Sequence, residues 1–230
     1  TKLTTGSSSS MSLRNGALSK NIYWAVGSTA DIGYSAYIAG NLLTFSALKF
    51  AAYAIMDGRA LSIADISFVG FTTGGTNNGT SGPVDNSVKV NLGGCMEFSV
   101  LAGTSLAFNL ALTVVTFGSV GSFGGGAISG NYQLSDGETT QSVTAETEQC
   151  KNDLNDAYNA AKSANCDTTL STVYLDGRVL LPGVYCSGTM ELRSSTTLTL
   201  DAQNNTNSVW VFQVGTTLIT RIASRVMLKN

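Results

Sequence analysis

The chain contains no histidine and only 2 prolines among its 230 residues. Without histidine there is no Ser-His triad, and the commonest general base and a frequent zinc ligand are both missing. Charge is also scarce: 12% of residues are Asp, Glu, Lys or Arg, against about 25% in ordinary soluble proteins. The formal net charge of −2 is spread over scattered signs, which excludes the basic patches that nucleic acid or an anionic membrane would require. No uncharged apolar run reaches the length of about 18 residues that a bilayer-spanning helix needs. The 4 cysteines, Cys95, Cys150, Cys166 and Cys186, include no C-x-x-C pair, so neither a metal nor another cofactor is expected. Their even number reads as one or two disulfides in a secreted protein, with four buried thiols as the alternative. No leader segment is recognisable, so the chain reads as a mature or recombinant form.

What the chain does have is repetition. The stretch 208–215, Ser-Val-Trp-Val-Phe-Gln-Val-Gly, is echoed by 20–27, Lys-Asn-Ile-Tyr-Trp-Ala-Val-Gly. Gly40-Asn41-Leu42-Leu43 returns as Gly58-Arg59-Ala60-Leu61, and Asp57-Gly58-Arg59-Ala60-Leu61 as Asp176-Gly177-Arg178-Val179-Leu180. Short β-rich units repeated every 18 to 20 residues or so are the mark of a solenoid, in which each coil hides its apolar edge by stacking on its neighbours. The mean hydropathy of +0.15 fits apolar residues held inside many short strands. Alternating segments at 22–26, 41–45, 60–63, 98–101, 179–181, 197–200, 209–214 and 226–228 supply those strands.

One segment has a different period. Over 143–164 the apolar residues Cys150, Leu154, Ala157, Tyr158, Ala161 and Ala164 form a helical stripe. Glu146 and Glu148 near its start and Lys162 near its end suit the helix dipole. The stripe is narrow, so the helix is expected to cover one side of the solenoid. At 1.5 Å per residue a continuous helix holds Cys150 and Cys166 about 24 Å apart. They cannot bond to each other, and each is left with Cys95, Cys186 or no partner. Residues 71–91 are rich in Gly, Asn, Ser and Thr and include Pro83, and they read as a flexible link. The Gly-rich stretch 117–130 lacks the lysine of a phosphate loop and reads as a compact turn or cap.

Enzymatic readings fail on the carboxylates. Polysaccharide-active solenoids need clustered acids with basic partners. Of the 15 Asp and Glu residues about five fall on or beside the helix and most others in turns, and none alternate in pairs along one strand. No catalytic residue is assigned.

Several stretches together resemble the large microbial family of ice-binding (antifreeze) proteins, in particular its diatom branch. They are Phe98-Ser-Val-Leu-Ala-Gly, the helix, Leu181-Pro-Gly-Val-Tyr-Cys186, Thr197-Leu-Thr-Leu-Asp-Ala, Val209-Trp-Val-Phe-Gln-Val, Lys20-Asn-Ile-Tyr-Trp-Ala-Val, Gly40-Asn-Leu-Leu and Asp57-Gly-Arg-Ala-Leu. The resemblance implies a mainly β fold, a right-handed β-solenoid (irregular β-helix) of triangular section with one long α-helix alongside. It also implies a secreted, monomeric, non-enzymatic protein whose partner is an ice crystal surface. Thermal hysteresis and recrystallisation inhibition follow from such adsorption. Relative to that family the order is permuted: 92–230 matches its N-terminal part and 1–70 its C-terminal coils, joined here through 71–91 in one domain, 1–230. Residues 1–15 and 216–230 also match each other, at Thr1/Thr216, Leu3/Leu218, Thr5/Thr220, Ser9/Ser224, Leu13/Leu228 and Asn15/Asn230. One coil is written at both termini, and both copies can turn their alternating apolar residues inward as successive rungs.

Aligning coils on an inward column of Met11, Ile38, Met56, Leu198 and Val226 sends the neighbours on each side outward. The candidate ice-contact residues are therefore Ser8, Ser10, Ser12, Ser35, Tyr37, Ala39, Tyr53, Ile55, Ser195, Thr197, Thr199 and Ala223. A β-solenoid adhesin or carbohydrate-binding module is the competing reading. It would need exposed aromatic platforms, for which Tyr37 and Tyr53 are the candidates.

Overall fold

The structure is a computed structural model that describes residues 2–12, 18–69, 72–74, 90–135, 137–205 and 207–229. It is mainly β, and the strand pairings among the described residues are parallel. The pairings fall into three ladders. The first stacks 183–187, 210–214, Ile22–Val26, 41–44, 59–62, Phe98–Ala102, Ser119–Ser122 and Thr140–Ser142. The second stacks 189–192, 217–220, Lys2–Thr5, Ala30–Ile32, Leu48–Phe50, Ile66–Val69, 106–109 and 128–130. The third stacks Val179–Leu180, Thr197–Asp201, Arg225–Lys229, Ser10–Ser12, 37–40, 55–58, Thr72–Gly74, 113–115 and 132–134. Most of the expected linker 71–91 lies outside the described residues. Thr72–Gly74 within it is a strand of the third ladder, because a Thr-Thr-Gly stretch can fill a rung when strands on both sides offer open edges.

Register places like on like inside the stack. Leu198, Val226 and Met11 occupy one line and Ile38 and Met56 the next rungs of it, all buried as their alternation required. Tyr185, Phe212 and Trp24 stack along the first ladder. Phe50, Phe68, Phe108 and Tyr132 form a second aromatic stack with centroids 4.5–5.1 Å apart. Each fully buried side chain of this size contributes about 1.5–3 kcal/mol.

The helix runs over Ala145–Ser163, slightly inside the expected 143–164. Thr144 caps it: its hydroxyl accepts from the Thr147 N–H, and the Thr147 hydroxyl accepts from the Thr144 N–H. The buried stripe Cys150, Leu154, Ala157, Tyr158 and Ala161 packs on the outward apolar residues of the first ladder, among them Ala25, Leu43, Leu61, Leu101 and Val211. Two disulfides, Cys95–Cys150 and Cys166–Cys186, fasten its two ends. Gln213 adds a third tie, donating to the carbonyls of Ala161 and Ala164 at 2.9 and 2.8 Å.

Between the second and third ladders, five coils turn through one repeated β-turn. Its N–H···O bond joins Thr196 to Arg193, Ser224 to Arg221, Ser9 to Gly6, Ala36 to Gly33 and Ala54 to Ala51. The third residue of each turn, Ser195, Ala223, Ser8, Ser35 and Tyr53, has φ between 52° and 60°, the position where a type II turn takes positive φ. A non-glycine residue there costs about 1–2 kcal/mol. Ser195→Gly should therefore stabilise the protein, by up to about 1 kcal/mol after glycine's own entropy cost. At the junction of third and first ladders the opposite holds. Gly58 has φ +141°, and a Cβ on it would lie 2.0 Å from the carbonyl oxygen of Gly40. Gly58→Ala should cost roughly 3 kcal/mol or more, and urea denaturation of the two variants reads both signs.

Candidate functional site

Three outward surfaces follow from three ladders, and the helix takes one. The outward residues of the first ladder lie under the helix, so no extended object can meet them. The second ladder is open. Its middle outward line runs Glu191, Ile219, Thr4, Asp31, Lys49, Ser67, Ala107 and Ser129. That line and its margins hold ion pairs, Lys2 with Asp31 at 2.9 Å and Arg221 with Glu191 at 2.8 Å.

The third ladder carries most of the candidate residues. Thr197, Arg225, Ser10, Tyr37 and Ile55 sit on consecutive rungs in that order. Ile55 and Arg225 are exposed, and Thr197, Ser10 and Tyr37 are half-buried. Thr199 lies two residues along from Thr197, half-buried and opposite Met227. Ser12 pairs with Met227 through its backbone; its side chain lies outside the described residues. Ser8, Ser35, Tyr53, Ser195 and Ala223 are exposed as expected, yet they are the positive-φ residues of the corner turns. They line the edge between second and third ladders instead of lying on either flat side. Bonds from Ser8 N to Tyr34 O, Ser35 N to Ala52 O and Ser195 N to Ile222 O keep that edge in step from coil to coil.

Ala39 is a correction. It is 0% exposed and cannot meet an external surface. The short 3-10 turn Ser19–Asn21 lies against this end of the ladder. Ser19 donates to Asp57, which stands in register with Ala39, and the amide of Asn41 donates to Lys20 O. The Tyr37 hydroxyl also donates to Asp57, at 3.1 Å. Partial burial and the Asp57 carboxylate push Tyr37 up to about 12, so it stays neutral and tied inward at its tip.

Alternation alone missed two exposed residues of the same edge, Tyr34 and Ile222, at 52% and 62% exposure. The signal for them is the repeated corner: each occupies the second position of the turn. Tyr34 and Tyr53 meet edge to face at 5.4 Å.

Among the described residues no group of three His, Cys, Asp or Glu could hold a metal. Asp65 is drawn into hydrogen bonds with Thr104 and Ser105, which hold its carboxyl below the usual range. Asp176 is bound to Arg193 and Thr196. A cleft of about 660 Å³ at the helix C-terminal end is lined by residues that include Tyr158, Lys162, Thr169 and Gln213, with no carboxylate. No helix among the described residues is long and apolar enough to cross a membrane.

A crystal structure of an ice binding protein from an Antarctic bacterium, Flavobacteriaceae, is similar at 26% identity with a TM-score of 0.51. The similarity covers 98% of this chain and 54% of that one, so the chain spans about half the length of that protein. No protein of curated description matches. The Ice-binding-like family model matches residues 1–74 and 72–230, and the chain therefore belongs to that family.

Proposed function

We propose that the protein is a non-enzymatic ice-binding protein that adsorbs to ice through the third ladder and its corner edge. On this reading the three ladders are the sides of a right-handed rod of triangular section. Adsorption gives thermal hysteresis and inhibits recrystallisation. The protein acts as a secreted monomer, in keeping with two disulfides, which persist in oxidising compartments. The family match in two overlapping segments, 72–230 and 1–74, supports a chain whose coils follow a permuted order.

The observation that carries the choice of side is charge. On the third ladder's outward line, Thr197, Arg225, Ser10, Tyr37 and Ile55, one residue is charged. On the second ladder's middle outward line three of eight residues, Glu191, Asp31 and Lys49, are charged. Ionic groups hold water in orientations a crystal lattice does not share, whereas hydroxyls and methyls let water order across them. The rungs repeat at about 4.7–4.9 Å, a spacing commensurate with an ice lattice. Because the strands are fixed on folding, little ordering entropy remains to be met on contact.

A large or charged group mid-face should lift the protein from ice while leaving its fold intact. Thr197→Tyr and Ser10→Lys should each lower thermal hysteresis several-fold, with stability changed by about 0.5 kcal/mol or less as for other surface positions. Asn152→Lys, on the exposed side of the helix, should leave hysteresis unchanged. Full hysteresis in the first two variants with loss in Ser67→Tyr would move the contact to the second ladder. Retention on insoluble polysaccharide without any hysteresis would favour the carbohydrate-binding reading.

A further inference from the structure

The two terminal copies of one coil occupy successive rungs in register, Leu3 on Leu218, Thr5 on Thr220 and Met11 on Val226. The ladders do not lengthen equally to admit them. In the second ladder Lys2–Thr5 lies between 217–220 and Ala30–Ile32, and in the third Ser10–Ser12 lies between Arg225–Lys229 and 37–40. In the first ladder 210–214 pairs directly with Ile22–Val26. Two ladders thus hold a rung for which the first has no counterpart.

That rung is buried but its strand pairing to the next coil is short. Its far side pairs at Leu3 with Ala30, Thr4 with Asp31 and Ser10 with Tyr37, whereas the later pair 37–44 and 55–62 matches along its whole length. A small void lies between the copies, lined by Ser9, Ser10 and Met11 of one and Thr220, Ser224 and Val226 of the other. The hydroxyls of Thr220 and Ser224 are buried there without a hydrogen-bond partner among the described residues, the condition that buried polar groups normally avoid. Removing either copy from the stack would let the other seat against both neighbours and bring the three ladders back into step.

We propose that 2–12 and 217–229 are alternative fillers of one rung, so that either copy suffices and one of them is a releasable strand. The alternation that buries Leu3 and Met11 buries Leu218 and Val226 in the same way, so the site accepts one class of ligand, an extended segment of this sequence pattern.

Full-length variants test this. Leu3→Asp and Leu218→Asp each place a carboxylate at a buried position, which ordinarily unfolds a protein; Ile38→Asp on the next rung is the control. Each single variant should keep a cooperative transition, with Tm lowered by no more than about 5 °C. Hydrogen exchange should show the substituted copy unprotected and the other protected. The double variant should lose cooperative unfolding as Ile38→Asp does. The proposal is overturned if Leu218→Asp unfolds the protein as fully as the control. It is equally overturned if the substituted copy stays protected, or if the double variant is as stable as the singles. Leu218 decides the matter, because it lies inside the long strand Trp210–Thr220, where terminal fraying cannot account for tolerance.

Discussion

In-register parallel pairing is the constraint on which everything else rests. Side chains alternate with period two, so a slip of one residue would send every inward residue of a strand to the outside. Keeping register forces Phe50, Phe68 and Phe108 into one stack and Tyr185, Phe212 and Trp24 into another. It also forces the corner turns into line, and with them five positive-φ residues that are not glycine. The strain at each corner is tolerated because the rungs above and below hold the turn's carbonyls and amides. The outward columns are regular for the same reason: they are what register leaves over.

A stack of this kind must still cover any side it makes apolar. The outward positions of the first ladder include Ala25, Leu43, Leu61, Leu101 and Val211, which the helix buries. Its own apolar stripe is narrow, so packing alone would hold it modestly, and the disulfides at its two ends compensate. Each closes a loop, of 55 and 20 residues in sequence separation, and by chain-entropy reasoning each is worth about 2–4 kcal/mol. Fixing the helix there also removes the first ladder from any external contact, which leaves the second and third to divide the functional possibilities.

Much of this was legible in the sequence. Repetition and alternation identified the stack, its inward column from Met11 to Val226, the helix with Leu154, Tyr158 and Ala161 facing in, and the matching terminal copies. What could not be read was whatever depends on segments that cross between rungs. Ala39 follows the outward rule of alternation, yet the 3-10 turn Ser19–Asn21, nearly twenty residues earlier, closes over it. Ser8, Ser35 and Tyr53 look like face residues by count, but a count does not register that the backbone has turned left-handed beneath them. The Thr72–Gly74 strand lacks hydrophobic pattern because its place is fixed by neighbours on both sides. Cysteine spacing excluded the Cys150–Cys166 bond and no more, since pairing depends on where the helix docks.

The duplicated coil separates the two demands on each position. The identical pairs Leu3/Leu218, Thr5/Thr220 and Ser9/Ser224 are buried. Where the copies differ in character, as at Lys2/Thr217, Thr4/Ile219, Ser8/Ala223 and Ser10/Arg225, the positions point outward or stand on the corner, whereas the inward pair Met11/Val226 exchanges one apolar side chain for another. The interior fixes its residues because a stacked rung must match the rung beneath it in volume and register. The outside is free to vary at little cost to the fold. A surface-binding function can therefore be tuned residue by residue on the outward columns, and a change such as serine to arginine between Ser10 and Arg225 alters hydration there without touching the core. That independence is what allows one scaffold to keep its fold while the chemistry it presents to water changes from rung to rung.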